Sequence, residues 1–353
     1  MNTKRFKEGE SISHPIHGEC RISFVGEDYV GVEFDGGNQA LLKKDSFIKK
    51  IRMDEKKDNN LSWPKSTFIE EPEGKRHFMG EKLAPFFDDV SALIGKLNEI
   101  LSNSSGIIGA FSVSETPPHS LPEGWPQGQI RQWPSAREGL YFVLRKEEKG
   151  NMLISIFPFY AWGSDVRLEL KRVIIWENRV EAQIEAFWGY SEITFYDTHF
   201  IHNRVWYEAG KEYNFRLTGI AYKARPATIH EIPFKTHPDQ VAWQRKVALE
   251  KELPNPEFPE KVILENIAVF IPIDNGDIDE YHFRGNIKSV EEIYGGMLDQ
   301  KAYLADVTVM RFDNEDADLK VIISEKAWQA NRPPKIGDEI EGLLWLQGYR
   351  WFD

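Results

Sequence analysis

The stretch "FYDTHFIHNR", residues 195–204, holds the densest set of reactive side chains in the chain: Asp197, His199, His202, Asn203 and Arg204. Two imidazoles three residues apart share one face of a helix, and an aspartate just before them is within reach of both. That combination suits a metal ion or acid–base chemistry. A metal site needs three or four ligands and outer hydrogen bonds to orient them. The nearest further histidines are His230 and His237, well downstream, so no metal is expected. Acidic clusters occur in "PIDNGDIDEYHF" (Asp274, Asp277, Asp279, Glu280) and in "RFDNEDADL" (Asp313, Glu315, Asp316, Asp318). Neither has the D-x-D-x-D-G order and later glutamate of a calcium loop, and both read as acidic hairpin turns. Cys20, with His14 and His17 nearby, is the only cysteine and reads as a core filler. Nucleophile elbows, phosphate loops, dinucleotide fingerprints and zinc-protease helices are absent. The expectation is therefore no catalytic residue, no metal and no cofactor.

Binding is the favoured class of function, with an enzyme of unrecognised type left open. With 44 Lys and Arg against 56 Asp and Glu, the net charge of −12 gives no global attraction to nucleic acid. A local basic face is still open. Residues 165–226 hold about nine basic and nine acidic residues, whereas residues 276–353 hold about nine against sixteen. In the neutral stretch Arg167, Lys171, Arg172, Arg179, Arg204 and Lys223 are interleaved with Trp188, Tyr190 and Trp206. Phosphate contacts beside stacking aromatics would suit single-stranded nucleic acid, and these nine residues are the expected interface. The bland reading makes the aromatics core and the cations a solvated face. It leads to the second expectation, a protein-interaction component with a protein partner. A third, carbohydrate recognition by the Trp-rich loop 125–133, fits poorly with the cytoplasmic location expected from the lack of an apolar leader. No run of about 18 apolar residues marks a membrane span.

These residues sit in a duplicated unit. "ITFYDTHFIHNRVWYEAGKEYNFRLTGIAY" (193–222) aligns with "KVIISEKAWQANRPPKIGDEIEGLLWLQGY" (320–349) with one gap after the Asn-Arg pair. Asp197 meets Glu325, Phe200 meets Trp328, Asn203 and Arg204 meet Asn331 and Arg332, Gly210 meets Gly337, and Tyr222 meets Tyr349. His199 and His202 meet Ala327 and Ala330, so the scaffold does not require histidine there. Asp197 and Glu325 stand where a helix opens, which suits capping. Each copy follows two further strand-like runs. Three strands, a short helix and more strand is the order of an OB-fold, predicting OB-like units at 166–236 and 261–353 joined by a helical linker at 237–260. The fifth strand of the first is expected at 228–234. The second lacks one, or takes it from elsewhere.

The rest of the chain reads as mainly β with an α+β centre. Residues 81–165 pair a helix with a β-hairpin around "KEEKGN". The helix is expected over 81–101, where Leu83, Phe86, Phe87, Val90, Leu93, Ile94, Leu97, Ile100 and Leu101 form a stripe. Residues 54–80 are polar and punctuated by Pro and Gly, a linker. In 1–53, short alternating runs are separated by Gly-rich turns, with "HPIHG", "VGVEFDGG" and "KKDSF" in order. This resembles the SH3/Tudor-like barrel of UvrD-type helicases and CarD-type transcription factors at His14, Gly18, Val32, Phe34 and Gly36. The resemblance implies a small docking barrel that contacts RNA polymerase or other proteins.

Overall fold

Alternation of apolar and polar residues dominates the chain, and the protein is mainly β. The computed structural model describes residues 9, 11–14, 18–25, 29–34, 39–43, 67–70, 79–107, 117–233, 261–274, 276–297, 300–312 and 315–351. The N-terminal strands are β1 (Ser11–His14), β2 (Gly18–Val25), β3 (Tyr29–Phe34) and β4 (Gln39–Lys43). They form an antiparallel meander. Among the described residues the meander does not close on itself; β4 continues into a parallel contact, Gln39 opposite Ile107. Gly36, one of the positions carrying the barrel resemblance, lies outside the described residues, as does the expected linker helix at 237–260.

The expected linker 54–80 contributes structure at its described end. Strand β5 (Phe68–Glu70) adds in parallel to the edge of the second sheet. The helix expected over 81–101 is three short ones: α1 (Met79–Leu83), α2 (Val90–Gly95) and α3 (Leu97–Ser102). Pro85 explains the break, since it lacks an N–H and pushes Ala84 out of helical geometry. Asp89 caps the restart, its Oδ1 accepting from Ser91 N at 2.8 Å. The stripe still buries Leu83, Phe86, Leu93 and Ile100, while Ile94 is exposed. Strand β6 (Ser105–Ile107), β7 (Gly128–Pro134) and the hairpin β8 (Glu138–Glu147) with β9 (Gly150–Tyr160) complete the first sheet.

The second sheet carries the duplication. The first copy is β10 (Ser164–Ile175), β11 (Ala182–Trp188), β12 (Ser191–Asp197), α4 (Phe200–Asn203) and β13 (Glu212–Pro226). Between the copies, β14 (Glu231–Pro233) and β15 (Lys261–Ile263) pair as a separate ribbon. The expected fifth strand at 228–234 is thus diverted away from the first unit. An edge strand, β16 (Val269–Pro272), precedes the second copy. That copy is β17 (Glu280–Met297), β18 (Gln300–Arg311), β19 (Asp316–Ser324) and β20 (Glu339–Trp351).

Each copy closes with the other's long strand. The first ring runs β10, β11, β12, β20, β13 and back to β10. The second runs β17, β18, β19, β13, β20 and back to β17. The joints β12 with β20 and β19 with β13 are parallel, and β13 with β20 is antiparallel. Aligning Tyr222 on Tyr349 also equates Gly219 with Leu346, and these two residues stand directly opposite each other. The pairing therefore turns about a local twofold through its own equivalent residues.

One apolar cluster fills both rings, with Leu168, Ile184, Phe195 and Phe215 from the first and Phe283, Val307, Leu319 and Leu344 from the second. A second cluster seats the first sheet and α1 on the outer face of the shared strands, joining Phe142, Phe157 and Phe86 to Tyr196, Ile220, Ile322 and Trp345. No helix among the described residues is long and apolar enough to cross a membrane.

Gly342 stands where β13, β20 and β17 meet, and an added Cβ would lie 2.1 Å from the Lys223 carbonyl oxygen. Gly342→Ala is expected to cost about 3 kcal/mol by forcing the backbones apart. Urea unfolding checks this; a loss below about 0.5 kcal/mol would show that this joint yields easily.

Candidate functional site

The junction that opens with Asp197 is buried. β12 ends at Asp197, and the four-residue α4 follows within two residues. Asp197 Oδ1 accepts from His199 N at 2.9 Å and from Asn203 Nδ2 at 3.3 Å. Its Oδ2 accepts from the Tyr207 hydroxyl at 2.6 Å. Burial nevertheless dominates, and pushes Asp197 up to about 7. His199 lies on the Tyr349 ring, with centroids 4.5 Å apart, and its Nε2 is 3.1 Å from the Tyr141 hydroxyl. Burial holds His199 down at about 3 and His202 at about 4, so both are neutral at neutral pH. His199 Nδ1 and His202 Nε2 are shielded and meet no hydrogen-bonding partner among the described residues. Among the described residues no three His, Cys, Asp or Glu side chains converge as a metal site would require. The arrangement orders a strand-to-helix junction, with His199 packed against the Tyr141 and Tyr349 rings.

The second copy solves the same junction differently. Glu325 is exposed, no helix follows it, and Ser324 Oγ accepts from Ala327 N instead. The cap expected at Glu325 is therefore made one residue earlier, by a side chain that β19 buries. Arg204 and Arg332 also part ways. Arg204 is buried, donates to the Arg179 and Pro126 carbonyls at 2.9 Å each, and is lowered to about 10 by burial. Arg332 is exposed and grips Asp338 through both terminal nitrogens.

The structure scatters the residues nominated for nucleic acid. Arg167 pairs with Glu212, Lys171 with Glu192 and Glu185, and Arg172 bidentately with Glu185. Arg179 meets Glu70 at 3.2 Å and lies over the Trp125 ring. Trp188 and Trp206 are core residues, at 8% and 7% exposure. Tyr190 is 71% exposed at the β11 to β12 turn, edge-on to Phe312. Lys223 alone of the nominated cations is exposed without a carboxylate partner among the described residues, and it stands on the outside of the second ring. Comparison with protein-family models, with curated proteins and with solved structures finds no match to this chain.

A buried ionic cluster escaped the sequence reading. Lys82 of α1 is 2% exposed, and its ammonium donates to Glu280 Oε1 and, at 3.3 Å, to Asp277 Oδ2. Glu280 Oε1 also accepts from the Tyr222 hydroxyl at 2.6 Å, and Lys82 lies over the Tyr222 and Trp345 rings. Asp279 Oδ2 accepts from Gln183 Nε2 at 2.9 Å and Trp345 Nε1 at 3.1 Å, and burial raises its pKa. The available signal was a lysine inside the apolar stripe, beside Met79, Leu83 and Phe86. Sealed under α1, these groups clamp the helix to the second ring.

Two tests separate packing from chemistry. Histidines held below their ordinary 6.5 bind fewer protons folded than unfolded, so their contribution to stability is lost as pH falls from about 6.5 toward 3 or 4. Asp197, raised from 3.8, acts in the opposite sense: its contribution is full below about 4 and lost as pH rises through about 7. Asp197 titrates in both proteins and largely cancels, so the double variant His199→Ala, His202→Ala should lie below the parent at pH 7 and converge on it by several kcal/mol toward pH 4. Parallel urea-midpoint curves would contradict buried neutral histidines. Lys82→Met should cost about 3 kcal/mol, because two carboxylates lose their cation inside the protein. A loss under 1 kcal/mol would place Lys82 in solvent.

Proposed function

We propose that the chain is a non-enzymatic binding protein built on two OB-like rings, and that it works as a protein-interaction component. The OB-like reading is supported by ring order. Numbering the strands of each unit in sequence, the circuit is first, second, third, fifth, fourth, with α4 between third and fourth in the first unit and the fifth supplied by the other copy. The N-terminal meander is the docking module in this reading.

The observation that favours a protein partner is the fate of the cations. Nucleic acid requires lysines and arginines free to replace counterions. Arg167, Lys171, Arg172 and Arg179 are each held by a carboxylate, and Arg204 is buried. The outer surface of β11 and β12 offers Glu185 and Glu192 to those cations and packs Tyr196 and Gln183 under neighbouring elements. Stacking bases would find Tyr190 there, with no free nominated cation beside it.

A labelled single-stranded oligonucleotide is expected to show no binding at low salt, while the protein isolated from its native host carries a protein partner in fixed ratio. Binding that weakens with salt along a log–log slope of several units would reverse the choice in favour of nucleic acid.

A further inference from the structure

The open feature of the second ring is a cleft on its outer surface, and a single extra residue creates its polar end. In β13, Phe215, Leu217 and Ala221 point into the ring core. Regular alternation would send Lys223 the same way. Instead the register against β20 shifts between Ala221 and Lys223, so that Ala224 takes the core position and Lys223 and Arg225 face outward. The equivalent strand keeps its alternation. Arg350, which the alignment places on Lys223, stays with the ring interior and packs between Trp206 and Tyr213, 4.7 Å from each ring centroid. The same position is sealed in one copy and exposed in the other. Bulges re-aim side chains in this way next to binding sites.

Cross-strand register arranges the floor in two rows over four strands. The first is His282, Leu343 and Lys223, a row that Ile271 continues outside the cleft; the second is Val269, Arg284, Glu341 and Arg225. Three strand spacings make the floor about 14 Å across. Leu264 and Ile267 form a wall, held by Arg284, whose Nη2 donates to the Leu264 carbonyl at 3.0 Å and whose Nη1 donates to that of Ile229 at 2.6 Å. The enclosed space is about 500 Å³, within the range of small-molecule sites.

The charges decide the ligand. Arg284 is matched by Glu339 at 2.9 Å and Arg225 by Glu341 at 2.8 Å. Lys223 has no carboxylate among the described residues, and the exposed His282 stands in the same row. What remains after these pairings is one uncompensated cation beside the apolar side chains of Leu264, Ile267, Val269 and Leu343. A phosphodiester chain needs a row of such cations, and a neutral apolar molecule would leave the ammonium without a counter-charge.

We propose that this cleft binds a small organic monoanion, an apolar body lying over Ile267, Val269 and Leu343 with its carboxylate on the Lys223 ammonium. This site is independent of a protein partner and adds a second ligand class to the chain.

The test uses the full chain and 8-anilinonaphthalene-1-sulfonate, a fluorescent monoanion with an apolar body, displaced by octanoate or by its neutral counterpart octanamide. Octanoate should displace the dye at concentrations roughly tenfold or more below octanamide, the margin of one charge-assisted contact. Lys223→Met, at an exposed position, should remove that margin by weakening octanoate while leaving octanamide within about twofold. Leu343→Asp should reduce displacement by both, with thermal unfolding used to show that each variant remains folded. Failure of octanoate to displace dye, equal competition by octanamide, or an unchanged octanoate affinity in folded Lys223→Met would each overturn the proposal.

Discussion

Everything in the C-terminal half of this protein depends on the antiparallel pairing of β13 with β20. Neither ring closes without both strands, because each unit's meander ends on a strand that the other unit supplies. The pairing extends from Asn214 opposite Trp351 to Pro226 opposite Ile340, so the backbone hydrogen bonds of two cores run through one ribbon. A shift of one residue would turn every side chain of that ribbon to the wrong face in both rings at once. The twofold through Gly219 and Leu346 makes the register self-consistent, since the same unit occupies both sides.

That shared constraint separates positions that are locked from positions that can diverge. Phe195, Phe215, Phe283 and Leu344 lie inside the rings and answer to packing. The strand-to-helix junction does not: one copy uses Asp197 with buried imidazoles, the other Ser324 with alanines. Charge follows the same rule. Lys82 is buried beside Glu280 and the partly exposed Asp277, and these carboxylates offset the desolvation of its ammonium. At the bulge in β13 the locked register yields by one residue, and that residue converts an inward cation into an outward one.

The duplication was legible in the sequence because its markers, the Asn-Arg exits, Gly210 with Gly337 and Tyr222 with Tyr349, report backbone turns that both copies need. Reciprocal closure was only half legible: the missing strand of the second unit pointed outside it, but residues 228–234 looked like a better candidate for the first than a strand more than a hundred residues away. Pro85 and Gly95 stand at the two breaks of the apolar stripe of 81–101, which its periodicity does not show. The basic and aromatic residues of 165–226 are visible in the sequence as types. Their placement was hidden, since alternation says which residues share a face and not which carboxylate lies across the strand. Arg172 opposite Glu185 is a cross-strand relation that only register reveals.

Native-state hydrogen exchange tests interlocked closure most directly. If β13 and β20 close both rings, their amides exchange last, and β10 to β12 lose protection in the same unfolding event as β17 to β19. Two events, in which one unit exchanges fully while the other keeps its protection, would contradict the exchange of strands on which this account rests.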